Sequence, residues 1–128
     1  MARNMSFALT TDQIRNRTKT VTRRIGWGFL NPGDIVNACV KCMGLKPGEK
    51  IQRLGQIRIV STRIEPLSRM VHEIEYGREE AAKEGFPGMM GVEFVVLFCD
   101  AMRPAFGSDT FVNRIEFEYV EMSDGKSP

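Results

Sequence analysis

The sequence has little histidine, cysteine or tryptophan and no long apolar run. Its one histidine, His72, stands beside Glu73 in a charged segment, so a Ser–His or Cys–His catalytic pair has little support. No run approaches the ~20 apolar residues needed to span a bilayer, and the N-terminus has no apolar stretch typical of a signal peptide. Three cysteines are an odd and low count for a secreted scaffold. We therefore expect a soluble, cytoplasmic protein with reduced thiols.

The chain also lacks the common cofactor and nucleophile motifs. It contains no Walker loop, GxSxG, HExxH or GxGxxG, so no cofactor is expected. The formal net charge is only +2, so binding partners must be inferred from where the charges lie. With 42% hydrophobic and 27% charged residues, and with no repeat or linker, the sequence predicts one globular domain over residues 1–128 with a frayed tail at 123–128.

The hydrophobic pattern predicts strands and short helices in close succession. We expect a bulge near Val60, a helix interruption at Gly77 and a helix stop at Gly85. The order has no βαβ rhythm, and it therefore predicts the α+β class with a small β-barrel or a strongly curved sheet. The expected strands are 5–9, 18–24, 35–42, 56–64 and 113–120, and the expected helices are 10–17, 68–85 and 91–102.

The densest charge feature is a group of five cations with no acid among them: Arg15, Arg17, Lys19, Arg23 and Arg24. Guanidinium groups match phosphate oxygens in pairs, so this segment is a candidate nucleic-acid interface. Trp27, just beyond it, is a candidate for stacking on a base. A solvated basic face explains the cations equally well, and packing in the core or at its rim is the commoner role of a lone tryptophan.

Two further features suggest chemistry. Lys19 stands near threonine hydroxyls, and a lysine whose pKa is lowered by burial or by cationic neighbours acts as a base toward a hydroxyl nucleophile. The alternative is a β-branched strand with a basic exposed face. Glu84 falls at the predicted end of a helix, where the macrodipole disfavours an acid. An acid at such a position has a functional role in some proteins. In others it is an exposed residue whose small destabilising effect is tolerated.

Cys39 and Cys42 form a CxxC, which invites a metal or redox interpretation. In a strand over 35–42 the two thiols point to opposite faces, because residues three apart diverge. A second CxxC is absent, although Cys99 could supply a third ligand. We therefore expect buried thiols and no metal site.

Taken together, the motifs resemble the signature of the ASCH domain family, which is similar in fold to PUA and EVE domains. The resemblance extends from about residue 5 to 121 and implies a small PUA-like β-barrel with flanking short helices and a cleft for RNA or nucleotides. Its pieces, in order, are TKTVTRR (18–24), Trp27, PGD (32–34), STRIEPL (61–67), EGFP (84–87), EFVVLF (93–98) and NRIEFEYV (113–120).

One branch of that family removes the acetyl group of N4-acetylcytidine. By resemblance, Thr22 is the nucleophile, Lys19 its base and Glu84 the acid–base or orienting group, with Arg23 or backbone N–H groups at the developing negative charge. Another branch cleaves RNA. The segment CMGLKPGEK (42–50) is extra relative to the smallest amidohydrolases.

Three functions follow from the sequence. The first is a hydrolase of a modified nucleoside or of RNA, centred on Lys19, Thr22 and Glu84. The second is a non-catalytic module that binds RNA or a modified base through Arg15, Arg17, Arg23, Arg24 and Trp27. The third is an interaction module whose basic face has no nucleic-acid partner.

Overall fold

The fold is a curled sheet with most of its helices packed on one side of it. The computed structural model describes residues 2–42, 44–102 and 110–121. The sheet has five strands: β1 (Arg3–Ser6), β2 (Val21–Arg24), β3 (Ile35–Cys39), β4 (Arg53–Pro66) and β5 (Phe111–Tyr119). The helices are α1 (Thr11–Arg15), α2 (Arg69–His72), α3 (Ile74–Lys83) and α4 (Gly91–Met102). Within the described ranges, every helix is too short or too polar to cross a bilayer.

The strand order is β1-β3-β4-β5-β2, so β1 and β2 form the two edges of the sheet. β1 pairs with β3 in parallel, and the other neighbours are antiparallel. β4 is long enough to pair with β3 and β5 at once. Its register against β5 shifts between Ile59 and Ser61, which confirms the bulge expected near Val60. A bulge increases local twist and bends the strand, so it helps the sheet to curl.

The curl brings the two edges of the sheet together. The Arg24 guanidinium, on edge strand β2, donates a hydrogen bond to the Ser6 carbonyl at the end of edge strand β1. The predicted α+β class is therefore confirmed in a coarse form, as a mixed fold with a five-stranded half-barrel and four helices in the part of the chain described.

Alternate residues of β5 supply two hydrophobic cores. Ile115 and Phe117 pack into the core enclosed by the curled sheet, where they meet Met5 and Phe7. Val112 points to the opposite face, where the helices cover it. This second core contains Leu67, Met70, Ala81, Val112 and three residues of α4, namely Phe94, Val95 and Phe98.

The helical region differs from the prediction at one position. The expected interruption at Gly77 is wrong: the chain breaks at Glu73 (φ −102, ψ 94), between α2 and α3, and Gly77 lies inside α3. Gly77 serves close packing instead, because a Cβ there would lie 2.1 Å from the Met70 carbonyl oxygen. The predicted stop at Gly85 is confirmed, with φ +104, a conformation that glycine adopts readily.

The predicted strand 5–9 was placed too late in the chain, since β1 covers Arg3–Ser6. Two other strand predictions were too long, and both differences bear on candidate sites. The predicted strand 18–24 begins only at Val21, and the predicted strand 35–42 ends at Cys39. The predicted helix 91–102 is confirmed at both ends. The tail at 123–128 lies outside the described residues.

Candidate active site

Lys19 lies just before β2 rather than within it. The Tyr119 hydroxyl fixes the backbone at this point by donating a 2.6 Å hydrogen bond to the Lys19 carbonyl. In a regular strand, residues three apart point to opposite faces. Because the strand begins at Val21, that rule does not apply to Lys19, and both Lys19 and Thr22 line the same cavity.

Glu84 caps the C-terminus of α3 and faces Lys19. The Lys19 Nζ donates to the Glu84 carboxylate Oε1 at 2.7 Å and to the Glu84 backbone carbonyl at 2.9 Å. Both residues are 2% exposed. An acid at a helix C-terminus is disfavoured by the macrodipole, and here the cations of Lys19 and Arg23 offset that cost.

The surroundings of Lys19 lower its pKa below the ordinary value. Burial lowers the pKa of Lys19, the attraction of Glu84 opposes that shift, and the nearby charges of Arg24 and Arg23 lower the pKa further. The net direction is downward. A lysine with a lowered pKa has a larger neutral fraction near pH 7, and the neutral amine is the form that accepts a proton.

A buried ionic cluster forms the support behind this pair. Arg23 lies at its centre: Nη1 donates to Glu84 at 3.0 Å, and Nη2 donates to Glu65 at 2.8 Å and to Glu80 at 2.6 Å. Glu80 also receives two hydrogen bonds from Arg114, at 2.6 and 3.0 Å. Three cations therefore match three carboxylates in the interior, namely Lys19, Arg23 and Arg114 with Glu65, Glu80 and Glu84.

The cluster shifts the pKa values of its members. Burial alone would raise the pKa of Glu80, but hydrogen bonds from Arg114 and Arg23 outweigh it and lower the pKa to about 2. Burial opposes the charge of Arg23, and the carboxylates of Glu84, Glu65 and Glu80 raise its pKa above the ordinary value. Arg23 therefore stays charged, with both terminal nitrogens engaged. Its Nε is buried and has no hydrogen-bond partner among the described residues.

Thr22 lies on β2 and is 3% exposed. The Arg24 Nε donates to the Thr22 Oγ1 at 3.2 Å. The same guanidinium lies over the Phe7 ring, with its central carbon 4.6 Å from the ring centroid. Burial lowers the pKa of Arg24 to about 10, so the group remains a cation at neutral pH.

Lys19, Thr22 and Glu84 border one cavity of about 280 Å³. Arg23 and Arg24 complete its polar wall. The other side is apolar and comes mainly from α4 and the turn before it. It is formed by Leu9, Phe86, Phe94, Leu97, Phe98, Ala101 and Met102. A small cavity with a few convergent polar groups against an apolar wall is typical of a small-molecule site.

The five predicted phosphate-binding cations do not share one surface. Arg15 and Arg17 are exposed, and Arg17 pairs with Glu121 at 2.8 Å. Lys19 and Arg23 belong to the buried ionic cluster, and Arg24 lines the cavity.

Trp27 is partly buried against the first core, and its ring lies 5.3 Å from the ring of Phe29. It therefore packs at the core rim in this structure. Stacking of a base on Trp27 stays a prediction.

The cysteines are free thiols. Burial raises the pKa of the Cys39 thiol, and the charge of Cys42 and a hydrogen bond with it raise this pKa further. Because β3 ends at Cys39, the expectation that the two thiols point to opposite faces of one strand does not apply. The described residues contain no group of three or more histidine, cysteine or acidic side chains placed to hold a metal ion.

Sequence reasoning missed the carboxylates and the arginine behind the pair, namely Glu65, Glu80 and Arg114. A usable signal was present in β5. Val112 and Ile115 are both apolar, and in a strand an even-numbered and an odd-numbered residue point to opposite faces. Apolar residues on both faces indicate that both faces of the strand are covered. Arg114 shares the face of Val112 and is therefore expected to be buried with a partner.

The fold itself is shared with a solved structure. The chain aligns with the crystal structure of protein EF3133 from Enterococcus faecalis V583, of the family model DUF984, with a TM-score of 0.60 and 16% identity. The alignment covers 94% of this chain and 76% of that one. No protein-family model matches the sequence, and no curated protein matches it significantly. At this identity the likeness shows a common fold, and function has to be argued from the site.

Proposed function

We propose that this chain is an ASCH-type, PUA-like domain that hydrolyses the amide of an acylated nucleobase, with N4-acetylcytidine as the model substrate. One observation carries the proposal. Lys19, Thr22 and Glu84 come from two distant parts of the sequence, are each 2–3% exposed, and line the same cavity. These are the residues that the resemblance assigns to catalysis.

The chemistry begins with the hydrogen bonds of Lys19. A neutral amine has two N–H donors and one lone pair. Glu84 accepts from Nζ at both its carboxylate and its carbonyl. When Lys19 is neutral, these two bonds occupy its donors and leave the lone pair as the basic site. Glu84 is therefore the orienting group for the base.

The reaction is then acyl transfer through Thr22. Lys19 takes the hydroxyl proton while Oγ1 forms a bond to the amide carbonyl carbon. The C–N bond breaks, and Lys19 returns the proton to the departing N4 amine of cytidine. The acyl group remains as an ester on Thr22. Water attacks that ester with Lys19 as base, the proton passes to the Thr22 oxygen, and the carboxylic acid leaves and ionises in solvent.

The cavity favours this reaction over a phosphate-binding role. The charges of Lys19 and Arg23 are matched by carboxylates, so they offer little attraction to a polyanion. The apolar wall suits the flat face of a base or the methyl end of an acyl group. We infer that the substrate is a modified nucleoside, or a base presented from RNA, in the cytoplasm.

The test is turnover of N4-acetylcytidine by the purified protein, with cytidine release followed by liquid chromatography. We expect wild-type turnover and at least a ~10³-fold loss in Lys19→Ala and Thr22→Ala. Thr20→Ala is the matched control, since Thr20 is exposed in the same segment and should keep turnover within about twofold of wild type. Retained turnover in folded Thr22→Ala, or none in wild type at high enzyme concentration, would refute the proposal. In the second case, binding or cleavage of RNA becomes the better account.

A further inference from the structure

We propose that Arg24 is a positioning residue for Thr22: its guanidinium orients the hydroxyl and stabilises the oxygen when the proton leaves. This role deepens the proposed function and rests on it. The sequence suggested that the adjacent Arg23 stabilises the developing negative charge. The present inference instead gives Arg24 a role of its own, at the nucleophile.

The orientation follows from donor chemistry. A guanidinium donates hydrogen bonds and accepts none. Because the Arg24 Nε lies 3.2 Å from the Thr22 Oγ1, the threonine oxygen is the acceptor. The hydroxyl proton must then point away from Arg24. Lys19 and Glu84 line the same cavity, so the proton is left free to point toward the base.

The stabilisation follows from charge balance. Arg23 makes ion pairs with three carboxylates, which it shares with Lys19, Arg114 and partly exposed cations. Arg24 makes no ion pair of 4 Å or less within the part of the chain that the structure describes. Its positive charge is therefore the less compensated of the two, and it lies directly on the nucleophile. A cation in contact with an oxygen or sulfur favours the deprotonated form of that atom.

The fold holds Arg24 in place from its far side. Its Nη2 donates to the Ser6 carbonyl, and the guanidinium lies over the Phe7 ring. Both contacts come from the segment at the end of β1, the opposite edge of the sheet. Closure of the half-barrel therefore holds the Arg24 guanidinium in place, and that guanidinium orients the Thr22 hydroxyl.

A thiol at position 22 tests the inference without any substrate. In Thr22→Cys, the thiol pKa is measured from the pH dependence of iodoacetamide alkylation, with peptide mass spectrometry to separate position 22 from the native cysteines. We expect a pKa below the ordinary value of about 8.5, although burial alone would raise it. Thr20→Cys, at the exposed neighbour, is the reference and should titrate near that ordinary value.

The Arg24 variants then locate the cause. Adding Arg24→Gln to Thr22→Cys should raise the thiol pKa by at least about one unit, and adding Arg24→Lys should restore part of that shift. A parent pKa at or above the reference, or no change with Arg24→Gln in a folded protein, overturns the inference. The parent measurement needs no Arg24 variant, so a parent pKa at or above the reference overturns the inference even if Arg24→Gln does not fold.

Turnover supplies a second readout in the native background. Arg24→Gln should lower kcat by about 10- to 100-fold at a nearly unchanged KM and move the rising limb of the pH profile upward. A purely structural role would lower the melting temperature without that pH shift. If no acylated nucleoside is turned over but the thiol pKa responds to Arg24, the proposed function fails and the role of Arg24 stands. If N4-acetylcytidine is turned over but the thiol pKa does not respond to Arg24→Gln, the proposed function stands and the role of Arg24 fails.

Discussion

Glu84 accepts two hydrogen bonds from the same Lys19 nitrogen, one at its side chain (2.7 Å) and one at its backbone carbonyl (2.9 Å). The second bond ties the base to the end of α3 itself, so it survives any change of the Glu84 side chain. The carboxylate supplies charge compensation for Lys19 and Arg23. A substitution of the Glu84 side chain therefore removes the charge compensation but keeps the backbone bond that orients Lys19.

Glu84→Gln should destabilise the protein by about 3 kcal/mol, because it leaves two buried cations short of a carboxylate. Urea unfolding at pH 7 measures the change. Glu75→Gln is the control: its side chain is 80% exposed beside Arg78, and the expected change is within about 0.5 kcal/mol. Equal effects of the two substitutions would contradict the burial of the Lys19–Glu84 pair.

Turnover should depend on pH through Lys19. Burial and the neighbouring arginines lower its pKa from 10.5 despite the attraction of Glu84. The rate as kcat/KM should therefore rise with pH along a limb whose midpoint lies clearly below 10.5. A pH–rate profile on N4-acetylcytidine measures this midpoint. A limb centred at the ordinary lysine value would show that Lys19 is not the base.

Acid should unfold the protein in a window set by Glu80. Its pKa is about 2 in the folded state against an ordinary value of 4.5. The unfolded chain binds this proton first as pH falls, so the stability that Glu80 contributes is present above 4.5 and is lost between 4.5 and about 2. Tryptophan fluorescence of Trp27 follows the transition.

Arg114→Gln should move this acid midpoint to higher pH, because Arg114 supplies two of the hydrogen bonds that hold Glu80 ionised. Arg58→Gln is the matched control on the same sheet. Arg58 pairs with Glu118, and both side chains are about half exposed, so the midpoint should stay where it is. A shift of the same size in both variants would point to net charge rather than to Glu80.

Gly91→Ala should destabilise the helical layer, although alanine favours a helix over glycine by about 1 kcal/mol. A Cβ at Gly91 would lie 1.9 Å from the Met70 carbonyl oxygen, so α2 and α4 must separate to admit it. We expect a net loss of about 1–3 kcal/mol in thermal or urea unfolding. Gly28→Ala is the control, since its Cβ would meet the Asn113 side chain at an ordinary 3.5 Å. Stabilisation by Gly91→Ala would contradict this packing.

Arg15→Gln combined with Arg17→Gln should leave turnover of N4-acetylcytidine within about twofold of wild type, because both residues are exposed and neither lines the cavity. The same double variant tests the RNA alternative by filter binding across a salt series. A large loss of RNA affinity with a shallower salt dependence would show that these arginines contact phosphate.

The sequence was most informative where one interaction dominates. The alternation of Ile115 and Phe117 predicted β5, because apolar side chains on every second residue must face the core. The glycine at 85 predicted the end of α3, because glycine adopts the positive φ found there more readily than other residues. Strand ends were harder. β2 begins at Val21 because the backbone of Lys19 and Thr20 is hydrogen bonded to Tyr119 and Lys83, which are distant in sequence.

The resemblance named three residues that line one cavity, whereas the electrostatics of that site could not be predicted from the sequence. Lys19, Thr22 and Glu84 were identified by resemblance, and their common cavity is a result of the fold. The run from Arg15 to Arg24 looked uniformly basic, because a linear sequence does not show which cations meet carboxylates. Glu65 and Glu80 reach Arg23 only through tertiary structure, so its burial could not be anticipated locally.

The position of β2 in the sheet also sets when the site can come into being during protein synthesis. Within the described residues β2 has β5 as its strand neighbour, and β5 is translated last of the nine elements. Lys19 and Thr22 leave the ribosome early, yet β2, which contains Thr22 and directly follows the Lys19 segment, has no strand partner until β5 emerges. A nascent chain arrested before Phe111 should therefore expose the apolar side of α4 to chaperones. Completion of β5 would then close the sheet and form the pocket in one late step.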